Sequence, residues 1–118
     1  MADAGLFIGW GAPVRGREAK GLEVFTEAIT YYERLRDEGV IERFDTAILE
    51  PHGGDLNGFF LLHGSKESLA ALRVHDDFVR LMARAGLIVE GLGVTGVALG
   101  EGLGAQIGMY QEGISELA

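Results

Sequence analysis

Along this chain apolar residues alternate with polar ones in some stretches and recur every three to four residues in others, and the switches between the two periods mark out the elements. Leu6 to Gly11 carries Leu6, Ile8 and Trp10 on one side and Phe7 on the other, which predicts a short strand ended by Ala12-Pro13. From Glu18 to Glu38 the apolar positions fall at Leu22, Phe25, Ala28/Ile29, Tyr32 and Leu35, the spacing of an amphipathic helix. Gly39 suits the left-handed residue past its end. Val40 to Glu50 then alternates as a strand, with Val40, Glu42, Phe44, Thr46 and Ile48 on one face and Ile41, Arg43, Asp45, Ala47 and Leu49 on the other.

The turn formers Pro51-His52-Gly53-Gly54-Asp55 lead into a second apolar run from Leu56 to Gly64, so the two strands should form a β-hairpin. Ser65, with Glu67 or Ser68, offers a cap for a second helix whose stripe is Leu69, Leu72, His75, Val79 and Met82, ending before Gly86. Asp76-Asp77 can open a new helical turn, which predicts a kink near His75. Leu87 to Leu99 reads as a last strand interrupted by Gly91, Gly93 and Gly96. Ile107, Tyr110, Ile114 and Leu117 then describe a weak terminal helix, because Gly108 and Gly113 each cost about 1 kcal/mol against alanine.

The order is therefore β-α-β-β-α-β plus a tail helix, an α+β, ferredoxin-like arrangement with a four-stranded antiparallel sheet. Right-handed crossovers put both main helices on one face of it. Two runs, Phe59-Phe60-Leu61-Leu62 and Leu87-Ile88-Val89, are apolar on both sides, so the uncovered face would be an unusually large patch in water. Pairing two sheets face to face removes it, and each buried Leu or Phe contributes roughly 1.5 to 3 kcal/mol. A homodimer through the sheet face is the expectation, with the tail helix crossing onto the partner.

At 118 residues the chain, 1–118, is the size of one domain. Hydrophobic residues make up 47% and charged residues 24%, ordinary values that exclude a disordered or fibrous chain. The net charge of -8, with ten scattered basic residues, argues against a nucleic-acid surface. No apolar run reaches the roughly 18 residues that span a bilayer and the N-terminus lacks a basic segment, so no membrane partner is expected and the location should be cytoplasmic. The absence of cysteine removes disulfides, thiolate metal sites and cysteine nucleophiles.

The element order, the doubly apolar strands, and Glu50-Pro51-His52-Gly53-Gly54-Asp55 leading into Gly58-Phe59-Phe60-Leu61 resemble the dimeric α+β barrel superfamily over about residues 5 to 99. The resemblance implies a small-molecule site in a family that includes cofactor-free monooxygenases, lactone isomerases and haem-degrading enzymes. The last of these ligate iron through a helix histidine, with an asparagine and a tryptophan at set positions. Here Trp10 lies on the first strand and has no such asparagine beside it.

Among candidates for chemistry, Gly91-Leu92-Gly93-Val94-Thr95-Gly96 matches G-x-G-x-x-G, but Val97-Ala98-Leu99 continues as strand where a dinucleotide site needs a helix. A bent strand is the better reading, and no cofactor is expected. His75, on the stripe of the second helix, is read as facing the sheet, where it could serve as a general base or stay structural at the kink. His63 ends the third strand and is the second catalytic candidate. His52 and Asp55 are too few for zinc, so no metal site is expected. Arg43 and Asp45 share a strand face and could bind a polar group or simply pair. Together Trp10, Phe25, Tyr32, Phe44, His63 and His75 would line a pocket between sheet and helices for a hydrophobic or aromatic compound, with cofactor-independent oxygenation or isomerisation as the concrete activity. A non-catalytic binding or assembly homodimer is the alternative, and a haem-binding or haem-degrading protein the third.

Overall fold

The computed structural model describes residues 2–118. Its elements are β1 (Ala4–Trp10), α1 (Glu18–Asp37), β2 (Arg43–Ile48), β3 (Gly58–Gly64), α2 (Lys66–Arg73), α3 (Asp76–Gly86), β4 (Gly93–Ala98) and α4 (Gly100–Leu117). The four strands form one antiparallel sheet in the order β2-β3-β1-β4. This is the expected ferredoxin-like α+β arrangement with an added C-terminal helix.

Register follows the alternation read from the sequence. Leu6 pairs with Leu62 and Ile8 with Phe60, and all four are buried beneath α1, α2 and α3 together with Tyr32, Leu35, Leu69, Leu72, Phe78 and Leu81. Burial on this face is what holds the helices to the sheet, because α1 alone carries too little apolar stripe to persist in water. The opposite face carries Phe7, Phe59 and Leu61, half-buried even without a partner. The reason is local: the Phe7 and Phe59 rings stack at 5.2 Å, and the Phe7 ring lies flat over Gly9, where an added Cβ would meet it at 2.6 Å. Glycine at that position lets an aromatic side chain fold down onto the sheet.

Two expectations about elements are corrected. Leu87-Ile88-Val89 is no strand: Leu87 caps the end of α3, its N–H donating to Arg84 and that of Ile88 to Ala85, and only Val89 makes an isolated bridge, to Pro13. Ile88 is buried while Leu87 is exposed, so the run is apolar on both sides because its two ends have separate jobs. The fourth strand is the glycine-rich Gly93–Ala98 instead, in continuation of the G-x-G-x-x-G segment. The second helix also divides. Ser65 caps α2 by accepting from the Ser68 N–H at 3.1 Å, and the predicted kink is a full break at Val74-His75.

Candidate functional site

The residues expected to share one pocket fall in three places. Trp10, Phe25 and Tyr32 meet in a cavity of about 70 Å³ between the sheet and helices α1 and α3, whose other walls include Ile8, Phe60 and Met82. The aromatic rings interlock: Phe60 lies 5.2 Å from Trp10, 5.5 Å from Phe25 and 4.9 Å from Tyr32, centroid to centroid. Phe44 touches the outer side of Tyr32 edge-on at 5.8 Å but does not line the cavity. No carboxylate, imidazole, ammonium or guanidinium is among the lining side chains. The walls offer apolar surface and one phenol.

That phenol is unusual. Tyr32 is wholly buried, and its hydroxyl has no hydrogen-bond partner among the described residues. Burial, followed by the neighbouring Tyr31 hydroxyl, pushes its pKa above the ordinary phenol range, so it remains an O–H donor at any physiological pH. Leaving a buried polar group unpaired costs about 1 to 3 kcal/mol, a penalty natural cores mostly avoid. The signal was present in the sequence as a tyrosine where the helix stripe calls for a purely apolar residue.

His63, Asp45 and Arg43 sit on the other face of the sheet. Arg43 pairs with His63 across β2 and β3, and Asp45 with Leu61, which places the three beside the Phe7, Phe59 and Leu61 surface. The His63 Nε2–H donates to Asp45 Oδ2 at 2.8 Å, and Arg43 Nη1 donates to Asp45 Oδ1 at 2.9 Å. The imidazole is nearly buried, whereas the carboxylate and guanidinium reach solvent. The hydrogen bond from His63 is the main reason the Asp45 carboxyl lies below the usual carboxylate range; desolvation opposes it, and the charge of Arg43 adds to the lowering.

A pH dependence follows. Because the folded carboxyl titrates below its unfolded value of about 3.9, its contribution is complete above that value and is lost as pH falls through the lower folded one. Thermal denaturation across the acid range up to about pH 7 should show Asp45→Asn less stable than wild type at neutrality, with the gap closing as pH falls below the unfolded carboxyl's value. A gap that is constant with pH would show that the contact adds nothing through ionisation.

His75 is a third, separate place. It is exposed, and rather than facing the sheet on a continuous stripe it caps α3, its Nδ1 accepting from the Asp77 N–H at 3.2 Å. It borders an open groove with Tyr31, Arg34 and Asp77, remote from the aromatic cavity's lining. Of its two readings, the structural residue at the kink is the one the geometry supplies. His52 is likewise held within its hairpin, accepting from Gly54 N–H at 3.2 Å and donating to the Leu56 carbonyl at 2.8 Å. Among the described residues no group of three or more His, Asp or Glu side chains is arranged to hold a metal ion, and no helix is long and apolar enough to cross a membrane.

No protein-family model and no curated protein sequence matches the chain. Solved structures do. A dimeric protein of unknown function with a ferredoxin-like fold from Bacteroides fragilis superposes with a TM-score of 0.60 at 12% identity, covering 82% of this chain and 97% of that one. A dimeric ferredoxin-like protein of unknown function from Jannaschia gives 0.61 at 17% identity, covering 82% and 98%. A cofactor-independent oxygenase from Streptomyces nogalater gives 0.54 at 13% identity, covering 84% and 95%. At these identities the likeness is one of fold, and these relatives include dimers. By that fold the chain is a ferredoxin-like α+β domain.

Proposed function

We propose that the protein binds a small aromatic compound between α1, α3 and the sheet, with the Tyr32 hydroxyl donating a hydrogen bond to an acceptor on the ligand. A tyrosine that lines an apolar cavity while its buried hydroxyl has no hydrogen-bond partner among the described residues carries this reading. A ligand carbonyl or ether oxygen there would remove the penalty of an unsatisfied donor, and three rings supply the stacking surface. The cavity is well below the roughly 300 Å³ of a typical ligand pocket, which restricts the ligand to about one ring unless Met82, the most adaptable wall, gives way. The catalytic form of this reading is oxygenation of the bound compound without a cofactor, the activity ascribed to the Streptomyces neighbour. Isomerisation would need a base at the ligand, and the cavity walls supply none.

Trp10 is the sole tryptophan and lines the cavity, so its fluorescence reports occupancy directly. Acetophenone and isopropylbenzene have nearly the same shape, but only the first carries an acceptor. Wild type should bind acetophenone about 2- to 12-fold more tightly, the worth of one neutral hydrogen bond, and Tyr32→Phe should erase the preference. The same substitution should make the empty protein more stable by about 1 to 3 kcal/mol, since it removes the unpaired group. No change in Trp10 emission with either compound at millimolar concentration overturns the reading.

The same reading has two copies meet through the open sheet face; what supports it is an apolar centre of Phe7, Phe59 and Leu61 with the Arg43-Asp45-His63 cluster at its margin. The same face can serve a non-catalytic dimer, a second reading favoured by the lack of any acid or base in the cavity.

A further inference from the structure

Helix α4 is the least supported element of the fold. None of its 18 residues is buried, and it caps itself with no side chain. Gly104, Gly108 and Gly113 lie within it with open space where a Cβ would point, each weakening an isolated helix by about 1 kcal/mol. The radius of gyration is 16.1 Å, against about 13 to 14 Å for a compact chain of this length, and the longest dimension is 52 Å. A helix of this length spans about 27 Å, so α4 accounts for the excess by standing away from the sheet.

Its exposed residues are not random. Leu103, Ile107, Tyr110, Ile114 and Leu117 follow a four-three-four-three spacing that aligns them on one side, with exposures from 48% to 90%. The acids Glu101, Glu112 and Glu116 fall on the opposite side, and the positions flanking the stripe are Gly104, Gln106, Gln111 and Gly113. The stripe is therefore free of the negative charge that would repel another molecule of net charge -8.

We infer that α4 is an arm whose apolar stripe packs against a second copy of this chain. Three observations choose that occupant. Two solved neighbours of the same fold are dimeric, and each is matched over nearly its whole length by 82% of this chain, so the fold that carries the arm is one that pairs in them. The arm is continuous with the open face: Leu99, which immediately precedes it, lies over that face within 3.1 Å of where a Gly5 Cβ would stand, next to Leu61. Finally, a stripe of this size covers only about 300 Å² on a helix 27 Å long, short of the roughly 800 Å² per partner of a stable dimer, so it extends an existing contact rather than making one alone. The inference thus rests on pairing through the sheet face.

The test uses the full chain in sedimentation equilibrium and circular dichroism. Ile107→Glu/Ile114→Glu should weaken self-association at least tenfold and reduce the helical signal by the contribution of α4, while Trp10 fluorescence stays native. Glu112→Gln, on the far side, should change neither. If the double variant keeps both wild-type affinity and helicity, or loses helicity without losing affinity, the arm does not engage a second copy. Leu61→Asp separates the two readings: dissociation with Leu61→Asp alone sinks the arm and leaves the sheet face standing, whereas a Leu61→Asp variant that associates as wild type does sinks the sheet face and with it the arm that extends it. A wild-type chain that is monomeric at micromolar concentration overturns both.

Discussion

Replacing Phe60 by alanine is expected to remove about 3 to 5 kcal/mol of folding stability, a large share of the roughly 5 to 15 kcal/mol that holds a domain together. Phe60 is 4% exposed in the middle of β3, opposite Ile8 on one side and Thr46 on the other. Its ring is the common neighbour of Trp10, Phe25 and Tyr32, so truncation would leave a hole that a strand held on both edges cannot close by moving. Each aromatic contact adds about 0.5 to 1.5 kcal/mol beyond area burial, which places the loss toward the upper end of the range. Urea unfolding followed by Trp10 fluorescence measures it. A loss below 1 kcal/mol would mean that the aromatic cluster is not the centre of the core.

One residue further along, Leu61→Asp is expected to act in the opposite way, leaving the protomer folded and breaking the dimer. Leu61 points to the open face, and its carboxylate replacement would stand beside Asp45, its cross-strand partner. Across a two-fold axis every substitution counts twice, removing two buried leucines of about 1.5 to 3 kcal/mol each and introducing like charges. A dissociation constant at least 100-fold higher follows, about 2.7 kcal/mol by mass action. Sedimentation should show half the wild-type mass with an unchanged fluorescence spectrum. A variant that remains dimeric at micromolar concentration would move the interface elsewhere.

β1, the long helix α1 and the two faces of β2 were legible from periodicity, whereas Phe60 and Leu61, in a run apolar on both sides, were assigned to opposite faces only by the register. The same parity also separates His63 from Phe60 and Leu62 and sets it with Arg43 and Asp45, yet grouping residues by chemistry put His63 into a pocket on the wrong face. Leu87-Ile88-Val89 misled for a different reason. A three-residue apolar run has no resolvable period, and here one residue ends a helix while the next plugs the core. The true fourth strand, with two glycines and one threonine in six residues, has weak strand character of its own and is held by its register with β1. His75 keeps the spacing of the stripe from Leu72, but Asp76-Asp77 directly after it begin a new helix, which turns the imidazole into a cap. The aromatic cavity could be named by its rings, and only the packing revealed that the Tyr32 hydroxyl is buried without a partner among the described residues.

The central position of β1 has a bearing on synthesis. Of the four strands the ribosome makes this one first, yet its neighbours are β3, beginning at Gly58, and β4, beginning at Gly93. At roughly 5 to 20 residues per second, several seconds separate the emergence of Leu6 from that of the segment that closes its second edge. During that interval an apolar strand with free backbone groups is exposed to other nascent chains. Of the four strands, the first to leave the tunnel is thus among the last to be satisfied, which makes crowded polysomes a setting for aggregation.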